Sequence, residues 1–213
     1  MPQQTEAEGI RETILQATMV LIQEGRGDAA QITTRAIAAR AGVAPGLINY
    51  HFQTKENLIT LCVQRMIRQV VVGYQPPVMA GESDRLRLRV WASGVFGFLF
   101  ENPGLSRLSI LADLTADAPQ SNTRGTRLGL MGAMQTEVFP ENRPLLAFLL
   151  VCAMQCTFLC PAGTTEALGM PLQTVQERNA WVERVVDALW YGLAAQSGAK
   201  QEILPEQKRG EEA

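Results

Sequence analysis

Residues 32–59 of the chain read ITTRAIAARAGVAPGLINYHFQTKENLI, a pattern that predicts three short helices. Thr33 is a good N-cap for the first helix, because its side-chain oxygen can accept a hydrogen bond from an unpaired backbone N–H group. Gly42 ends that helix, since glycine enters the left-handed C-cap conformation without a steric penalty. Pro45 suits the first turn of the second helix, where its missing N–H group is harmless.

Two helices joined by a glycine-containing turn form a helix-turn-helix, whose second helix can lie in the major groove of DNA. Ile48 and Phe52 are four residues apart, so they share the inner face of that second helix. Thr54 is placed to cap the third helix. Helix spacing alone is weak evidence for DNA binding, so the order of the residues within the segment carries more weight.

The segment resembles the N-terminal DNA-binding domain of the TetR/AcrR family of one-component repressors. The matching residues follow in order and without a gap: Thr33-Thr34-Arg35, Ile37-Ala38, Ala41-Gly42-Val43, Gly46, Tyr50-His51-Phe52, Lys55-Glu56 and Leu58. Two positions depart from the family pattern, since Ala44 replaces the usual capping Ser or Thr and Asn49 stands where Tyr is common. Because of such departures the resemblance does not predict the operator sequence.

By this resemblance, the outward side chains of the second helix are candidates for DNA contact. Asn49 can pair with adenine, and Leu47 can touch a thymine methyl group. Helix N-termini attract phosphate, so the starts of the first and third helices are candidates for backbone contact. The predicted DNA-binding residues are Thr34, Arg35, Pro45, Leu47, Asn49, Tyr50, His51 and Lys55. Each has an ordinary alternative, such as a solvated charge for Arg35 or a contact with the helix dipole for His51.

Charge and composition narrow the class of protein. The 213 residues carry a net charge of −2, so this is not a globally basic nucleic-acid-binding protein. Residues 1–70 contain seven Lys or Arg and six Asp or Glu, so we expect DNA affinity to depend on a few placed cations and on two copies binding together. The absence of a signal-peptide pattern predicts a cytoplasmic protein. Without a CxxC pair or a His-rich cluster, we expect no metal site and no cofactor.

The rest of the chain has helical periodicity and no strand-length alternation, which predicts an all-α fold. Residues 1–8 are predicted to be disordered, and the first helix is predicted from about Gly9. Gln75-Pro76-Pro77 breaks the helix that follows Thr54. We predict a helix-turn-helix DNA-binding domain at residues 8–73, a helical effector-binding and dimerisation domain at residues 82–198, and a flexible tail at residues 199–213.

A helix predicted over residues 145–160 is apolar almost all round, so it has too much apolar surface to face solvent. With the helix predicted over residues 172–197, it can form a four-helix interface across a two-fold axis. The residues predicted at this homodimer interface are Leu149, Cys152, Cys156, Trp181, Val185 and Leu189. Residues 144–165 carry no charge, but the apolar part is short for a membrane span and prolines bound it, so we expect no membrane association.

The resemblance also implies a small-molecule effector site in the second domain. Its apolar middle helices favour a hydrophobic or amphipathic effector. The predicted wall residues are Trp91, Phe98, Leu111, Met131 and Met134, all of which could instead be ordinary core. Gly125, Gly129 and Gly132 recur at helical spacing, which indicates a close helix contact or a kink, or a ligand that passes near the backbone.

Three functions stay open on the sequence. The first is a homodimeric, ligand-responsive regulator of transcription, most often a repressor, that binds a double-stranded DNA operator. The second is a regulator controlled by thiol chemistry on the stripe Cys152, Cys156 and Cys160, for which packing at an interface is the ordinary alternative. The third is an all-α carrier or enzyme that keeps the motif as a scaffold; no nucleophile–base pair or phosphate loop supports it, so we expect no catalytic residue.

Overall fold

Helical periodicity along the chain gives an all-helical fold, as the sequence predicts. The computed structural model describes residues 2–25, 31–73, 81–116 and 121–199, and within these ranges it contains ten α-helices and no strand. The helices are α1 (Pro2–Glu24), α2 (Thr34–Ala41), α3 (Pro45–Phe52), α4 (Lys55–Gly73), α5 (Asp84–Glu101), α6 (Pro103–Ala116), α7 (Asn122–Ala133), α8 (Arg143–Leu159), α9 (Pro161–Leu168) and α10 (Val175–Ala199). The predicted break at Gln75-Pro76-Pro77 and residues 200–213 of the predicted tail lie outside the described residues.

Two helix boundaries at prolines differ from the prediction. The predicted disorder of residues 1–8 is wrong for residues 2–8, because α1 begins at Pro2. Proline is favoured at the first helical position, and the Gln, Glu and Ala residues that follow are good helix formers. The sequence predicts that Pro161 ends a helix; it does follow the end of α8, but it also begins α9, and the two helices are bent by 108°.

The N-terminal helices share one apolar core, which includes a helix from beyond the predicted domain boundary. Ile14, Ile37 and Ile48 are fully buried at its centre. Leu105 and Leu108 of α6 are buried in the same core. α6 therefore packs directly against the helix-turn-helix domain, on α1 and α4.

A second apolar core lies among α5, α7, α8 and α10. Phe96 of α5 and Trp181 of α10 are stacked in it, with ring centroids 4.6 Å apart. At the edge of the same helix pair, Arg85 and Arg89 of α5 both donate to the carboxylate of Asp187 on α10, at 2.8 and 2.6 Å. In the described part of the chain no single helix is long and apolar enough to cross a membrane.

A buried carboxylate, Asp84, organises the connection between α7 and α8. Its oxygens accept hydrogen bonds from the backbone N–H groups of residues 135, 136, 137 and 138, at 2.7 to 3.2 Å. Asp84 also forms an ion pair with Arg87 one turn later on α5. Phe139-Pro140 is a helix-ending signal that follows the glycine series in the sequence, but α7 already ends at Ala133. The four N–H groups bond to Asp84 instead of to helical carbonyls, which explains the early end.

The protonation of Asp84 is set by the balance between its burial and its partners. Burial alone would raise the pKa of this carboxyl, but the backbone N–H donors outweigh burial and hold the pKa well below its usual range. A group whose pKa is lowered by folding stabilises the fold above its unfolded pKa, about 3.9 for Asp, and this contribution is lost as the pH falls below that value.

We predict that Asp84→Asn destabilises the fold by about 3 kcal/mol, because an amide cannot accept at both positions and leaves Arg87 without its charge partner. For a chain of this length that corresponds to a fall in the melting temperature of roughly 6–12 °C. Thermal unfolding followed by circular dichroism at pH 7 measures it. Glu82→Gln removes an exposed carboxylate two residues away and should shift the free energy of unfolding by less than about 0.5 kcal/mol.

The difference in the free energy of unfolding between wild type and Asp84→Asn should shrink below about pH 4. A pH-independent difference would contradict the role given to the ionised carboxylate.

Candidate DNA-binding surface and candidate effector cavity

The helix-turn-helix has the local structure that its sequence predicts. The Thr33 hydroxyl oxygen accepts a hydrogen bond from the N–H group of Ala36 at 3.1 Å, which caps α2. Gly42 has φ +67° in the left-handed region and ends α2. Ala44 precedes α3 without a side-chain capping bond, so the departure from the usual Ser or Thr leaves that helix start uncapped by a side chain. Pro45 occupies the first turn of α3.

Burial fixes α3 to its neighbours, and ion pairs fix α2 and α4 to α1. Ile48 and Phe52 are buried, as predicted, and the guanidinium of Arg11 on α1 lies over the Phe52 ring, 5.2 Å from its centroid. Arg40 of α2 forms an ion pair with Glu24 of α1 at 2.5 Å, and Arg65 of α4 pairs with Glu12 of α1 at 2.7 Å. These two cations hold α2 and α4 to α1, so they add little net charge to the surface.

A strained turn at Gln53 connects α3 to α4. Gln53 has φ 66° and ψ −54°, and the N–H group of Thr54 donates to the carbonyl of Phe52 at 2.8 Å. This is a γ-turn with positive φ, which is rare for a residue with a side chain and costs about 1–3 kcal/mol. The Thr54 hydroxyl then caps α4 by accepting from the N–H group of Asn57, as predicted. The reversal allows Lys55 to begin a new helix only three residues after Phe52. No glycine at position 53 signals this turn in the sequence.

The predicted DNA-binding residues differ in exposure. The exposed ones are Arg35, Pro45, Asn49 and Tyr50, and the partly buried ones are Thr34, Leu47, His51 and Lys55. Tyr50 is 79% exposed, and its ring meets that of His51 edge-on at 5.0 Å. The Lys55 ammonium lies 3.6 Å from the Glu56 carboxylate. α3 packs against both α2 and α4, so these side chains belong to one region of the surface. Their contact with DNA stays a prediction.

A cavity of about 590 Å³ lies between the two cores. Its walls come from α4, α5, α6 and α7, with Gln155 contributed by α8. Two polar pairs stabilise the α7 side. Gln155 Nε2 donates to Thr123 Oγ1 at 2.8 Å, and Asn122 Nδ2 donates to Ser109 Oγ at 3.0 Å. These polar residues are absent from the sequence prediction, because a polar residue on a helix is indistinguishable in a single sequence from one on a solvent-facing surface.

The predicted wall residues are only partly gathered at this cavity. Trp91 and Phe98 line it. Leu111 does not, since Ser106, Ser109 and Ile110 form the cavity face of α6 and Leu111 points outward, exposed. Met131 packs against the second core, and Met134 is fully buried there, so neither is among the lining residues.

The predicted dimer residues also divide into two groups. The first group keeps accessible surface within the protomer. It consists of Cys156, which is exposed, and Leu149, Cys152, Val185 and Leu189, which are partly buried. Trp181 is buried against Phe96 within the protomer's own core, which makes its side chain inaccessible to a second copy. Leu145 and Phe148, which the prediction omits, are about half exposed on α8.

The cysteines are all free thiols, and their environments differ. Cys62 is buried, and burial raises the pKa of its thiol to about 12. Burial also raises the pKa of Cys152, helped by the neighbouring Cys156 and opposed by Arg127. A raised pKa reduces the thiolate fraction, which is the reactive form. In the described ranges no group of three His, Cys, Asp or Glu residues is placed to hold a metal ion.

Comparisons with known proteins agree with this geometry. A family model for bacterial regulatory proteins of the TetR family matches residues 14–61. The nucleoid occlusion factor SlmA of Marinomonas sp. (strain MWYL1) is 29% identical over 129 residues, which cover 61% of this chain and 59% of that protein. The HTH-type transcriptional repressor KstR of Mycolicibacterium smegmatis is 26% identical over 134 residues, covering 63% of this chain and 65% of the repressor.

The chain therefore spans between about half and two-thirds of the length of these curated relatives. Among solved structures, a TetR transcriptional regulator from Rhodococcus sp. RHA1 superposes with a TM-score of 0.62 at 23% identity, covering 89% of this chain and 98% of that one. A TetR from Streptomyces coelicolor superposes with a TM-score of 0.57 at 17% identity, covering 87% and 97%. At these identities the structural likeness establishes the fold.

We predict that Gly129→Ala destabilises the fold by about 1–3 kcal/mol, because the added Cβ would lie 2.6 Å from the Trp91 ring and force that ring to shift. The close helix contact expected for the glycine series thus exists at Gly129. Gly132→Ala, on the same helix with no atom within 4 Å of the added Cβ, is the matched control and should be neutral or stabilising by up to about 1 kcal/mol. Urea unfolding of the three proteins measures both effects. Equal stability of the two variants would contradict the contact between Gly129 and Trp91.

Proposed function

We propose that the chain is a homodimeric repressor of the TetR family of bacterial transcriptional regulators, whose family model matches residues 14–61, and that it is released from its DNA operator by a small hydrophobic or amphipathic effector. The observation that carries the proposal is the helix-turn-helix, whose α3 buries Ile48 and Phe52 and leaves Asn49 and Tyr50 exposed. Repression is favoured because the relative from Mycolicibacterium smegmatis is named a repressor. Action on DNA implies a cytoplasmic location, and the proposal assigns no catalytic activity.

The DNA contacts divide by chemistry. Asn49 is exposed on α3 and its amide suits bidentate pairing with adenine, so we assign it to base contact, together with Leu47 and Pro45. Arg35 lies in the first turn of α2 and Lys55 begins α4, where the helix N-terminus adds partial positive charge, so we assign both to phosphate contact. Thr34, Tyr50 and His51 complete the backbone contacts.

Dimerisation is supported by an apolar surface on α8 that the protomer leaves uncovered. Leu145 and Phe148 are about half exposed, and Leu149 and Cys152 lie beside them on the same helix. Exposed apolar groups clustered on one helix are typical of an interface. α10 packs against α8, so Val185 and Leu189 can extend the same surface. A two-fold pair of such helices would hold two recognition helices at half-sites about 34 Å apart.

Effector control is supported by the position of α4, which extends from the DNA-binding surface to the cavity. Lys55 begins this helix at the DNA-binding surface, and Gln64, Ile67 and Arg68 near its other end line the cavity. A ligand that prefers one position of α4 therefore also selects one position of the DNA-binding surface. The thiol-controlled alternative is less well supported, because burial raises the pKa of Cys152.

The test of DNA binding is selection of genomic fragments by the purified chain, followed by affinity measurements at several salt concentrations. We predict that Arg35→Gln and Lys55→Gln each weaken binding on all sequences and reduce the salt slope by about 1. Asn49→Ala should relax base preference at one position, worth about 1–3 kcal/mol. Arg184→Gln removes an exposed charge on α10 and should change neither quantity. Failure to retain any fragment, or an unchanged slope in both variants, would refute these assignments.

We predict that Phe148→Glu converts the dimer into a monomer and weakens operator binding at least tenfold, because a carboxylate in an apolar interface is desolvated without a partner. Sedimentation velocity measures the oligomeric state, and the gel shift measures affinity. Leu114→Glu makes the same kind of change at a 64%-exposed position on α6, so it should leave the dimer intact. If Phe148→Glu stays dimeric, the interface lies elsewhere on the surface.

A further inference from the structure

The cavity contains one buried hydroxyl that the protein leaves unsatisfied. Ser106 lies one turn before Ser109 on α6, and both line the cavity. Ser109 accepts a hydrogen bond from Asn122, whereas the Ser106 hydroxyl has no hydrogen-bond partner among the described residues. Ser106 is only 1% exposed, so its hydroxyl is shielded from bulk water. A buried hydroxyl without a partner is unfavourable, and an oxygen atom on a bound ligand would remove that penalty.

The charges on the cavity wall have one sign. Arg68 of α4 and Arg124 of α7 line the cavity, and both are exposed, which places them where it opens to solvent. No Asp or Glu is among the described lining residues. Arg68 makes no ion pair within the described part of the chain. An opening with this charge favours a carboxylate over an ammonium group or a neutral alcohol.

The inner wall is built from hydrocarbon and aromatic surface. Ile67, Trp91, Val95 and Phe98 line the cavity on the α4 and α5 sides. Its volume, about 590 Å³, falls within the range of roughly 300–1,000 Å³ that is typical of small-molecule sites. The arrangement thus combines an apolar wall, a buried hydroxyl without a partner among the described residues and a cationic opening.

We propose that this cavity binds an apolar carboxylic acid that carries a second oxygen function, a hydroxyl or a carbonyl, on its body. The carboxylate pairs with Arg68, assisted by the charge of Arg124, and the body lies against Trp91 and Phe98. The second oxygen accepts a hydrogen bond from Ser106. This inference rests on the proposed function, since it names the chemical class of the effector for the same cavity.

The carboxylate is tested by titration calorimetry of the full chain with decanoate, decan-1-ol and decylamine, with the two charged compounds below their micelle concentrations and the alcohol below its solubility limit. Decanoate should bind at least tenfold more tightly than decylamine. Arg68→Gln should weaken decanoate binding at least fivefold and leave decan-1-ol unchanged. Arg107→Gln is the matched control, because Arg107 is exposed on α6 but does not line the cavity, and it should change none of the three affinities.

The second oxygen is tested with a panel of hydroxydecanoates that differ in the position of the hydroxyl group. At least one isomer should bind the wild-type protein fivefold or more tightly than decanoate does. Ser106→Ala should abolish that gain and leave the affinity for decanoate itself within twofold. An isomer whose advantage survives in Ser106→Ala, or a panel with no gain, would overturn the role of Ser106.

Release of operator DNA by the same compounds separates this inference from the proposed function. Tight binding of the acids without release would refute effector control and leave the ligand class standing. Release by decylamine or decan-1-ol but not by decanoate would refute the ligand class and leave effector control standing. Absence of measurable decanoate binding, or an equal affinity for the acid and the amine, would also overturn the assignment of a carboxylate.

Discussion

The structure depends most on one helix, α6, that is buried on two faces at once. Leu105 and Leu108 are buried in the core of the helix-turn-helix domain, while Ser106, Ser109 and Ile110 form a wall of the cavity. Full burial of a leucine contributes about 1.5–3 kcal/mol, so detaching this helix from either neighbour would cost much of a typical domain's stability. Because α6 belongs to both regions, a change in the shape of the cavity that moves α6 also moves the helices of the DNA-binding domain against which it packs.

A second constraint acts on the irregular segment between α7 and α8. Asp84 binds four of its N–H groups, and Arg143 donates to the carbonyls of Gln135 and Val138 at 3.0 and 2.9 Å. Arg87, the ion-pair partner of Asp84, also donates to the carbonyl of Ala133 at 3.0 Å. Charged side chains thus make the hydrogen bonds that the backbone groups of this segment would otherwise make within a helix. Since α7 lines the cavity and α8 carries the proposed dimer surface, this segment joins the helices that carry the two.

Local signals in the sequence predict most of the fold, and long-range contacts account for what they miss. Thr33 and Gly42 begin and end α2 as expected, since a cap depends on residues at most a few positions away. Asp84, by contrast, looks like an ordinary acidic residue in the first turn of a helix, and its role depends on partners about fifty positions later. The γ-turn at Gln53 has no signal of its own, because packing of α3 and α4 imposes it on a residue that does not favour positive φ. Of the residues that line the cavity, the sequence predicts only the apolar Trp91 and Phe98. The polar lining residues are missed because long-range contacts bring them together.

The length of α4 gives the proposed effector control a mechanical basis. From Lys55 to Arg68 the helix advances thirteen residues, or about 20 Å at 1.5 Å per residue. Leu58 and Cys62 on its inner face are fully buried in the core that α4 shares with α1. Close packing of this kind favours movement of the whole helix over local bending. Under the proposed effector control, a small rotation of α4 produced at the cavity would be carried to the γ-turn at Gln53 and through it to α3. In a dimer the two displacements are related by symmetry, so they add in the spacing of the recognition helices. DNA with fixed half-sites is sensitive to that spacing, so the proposal gives the apolar surface on α8 as large a part in regulation as the cavity.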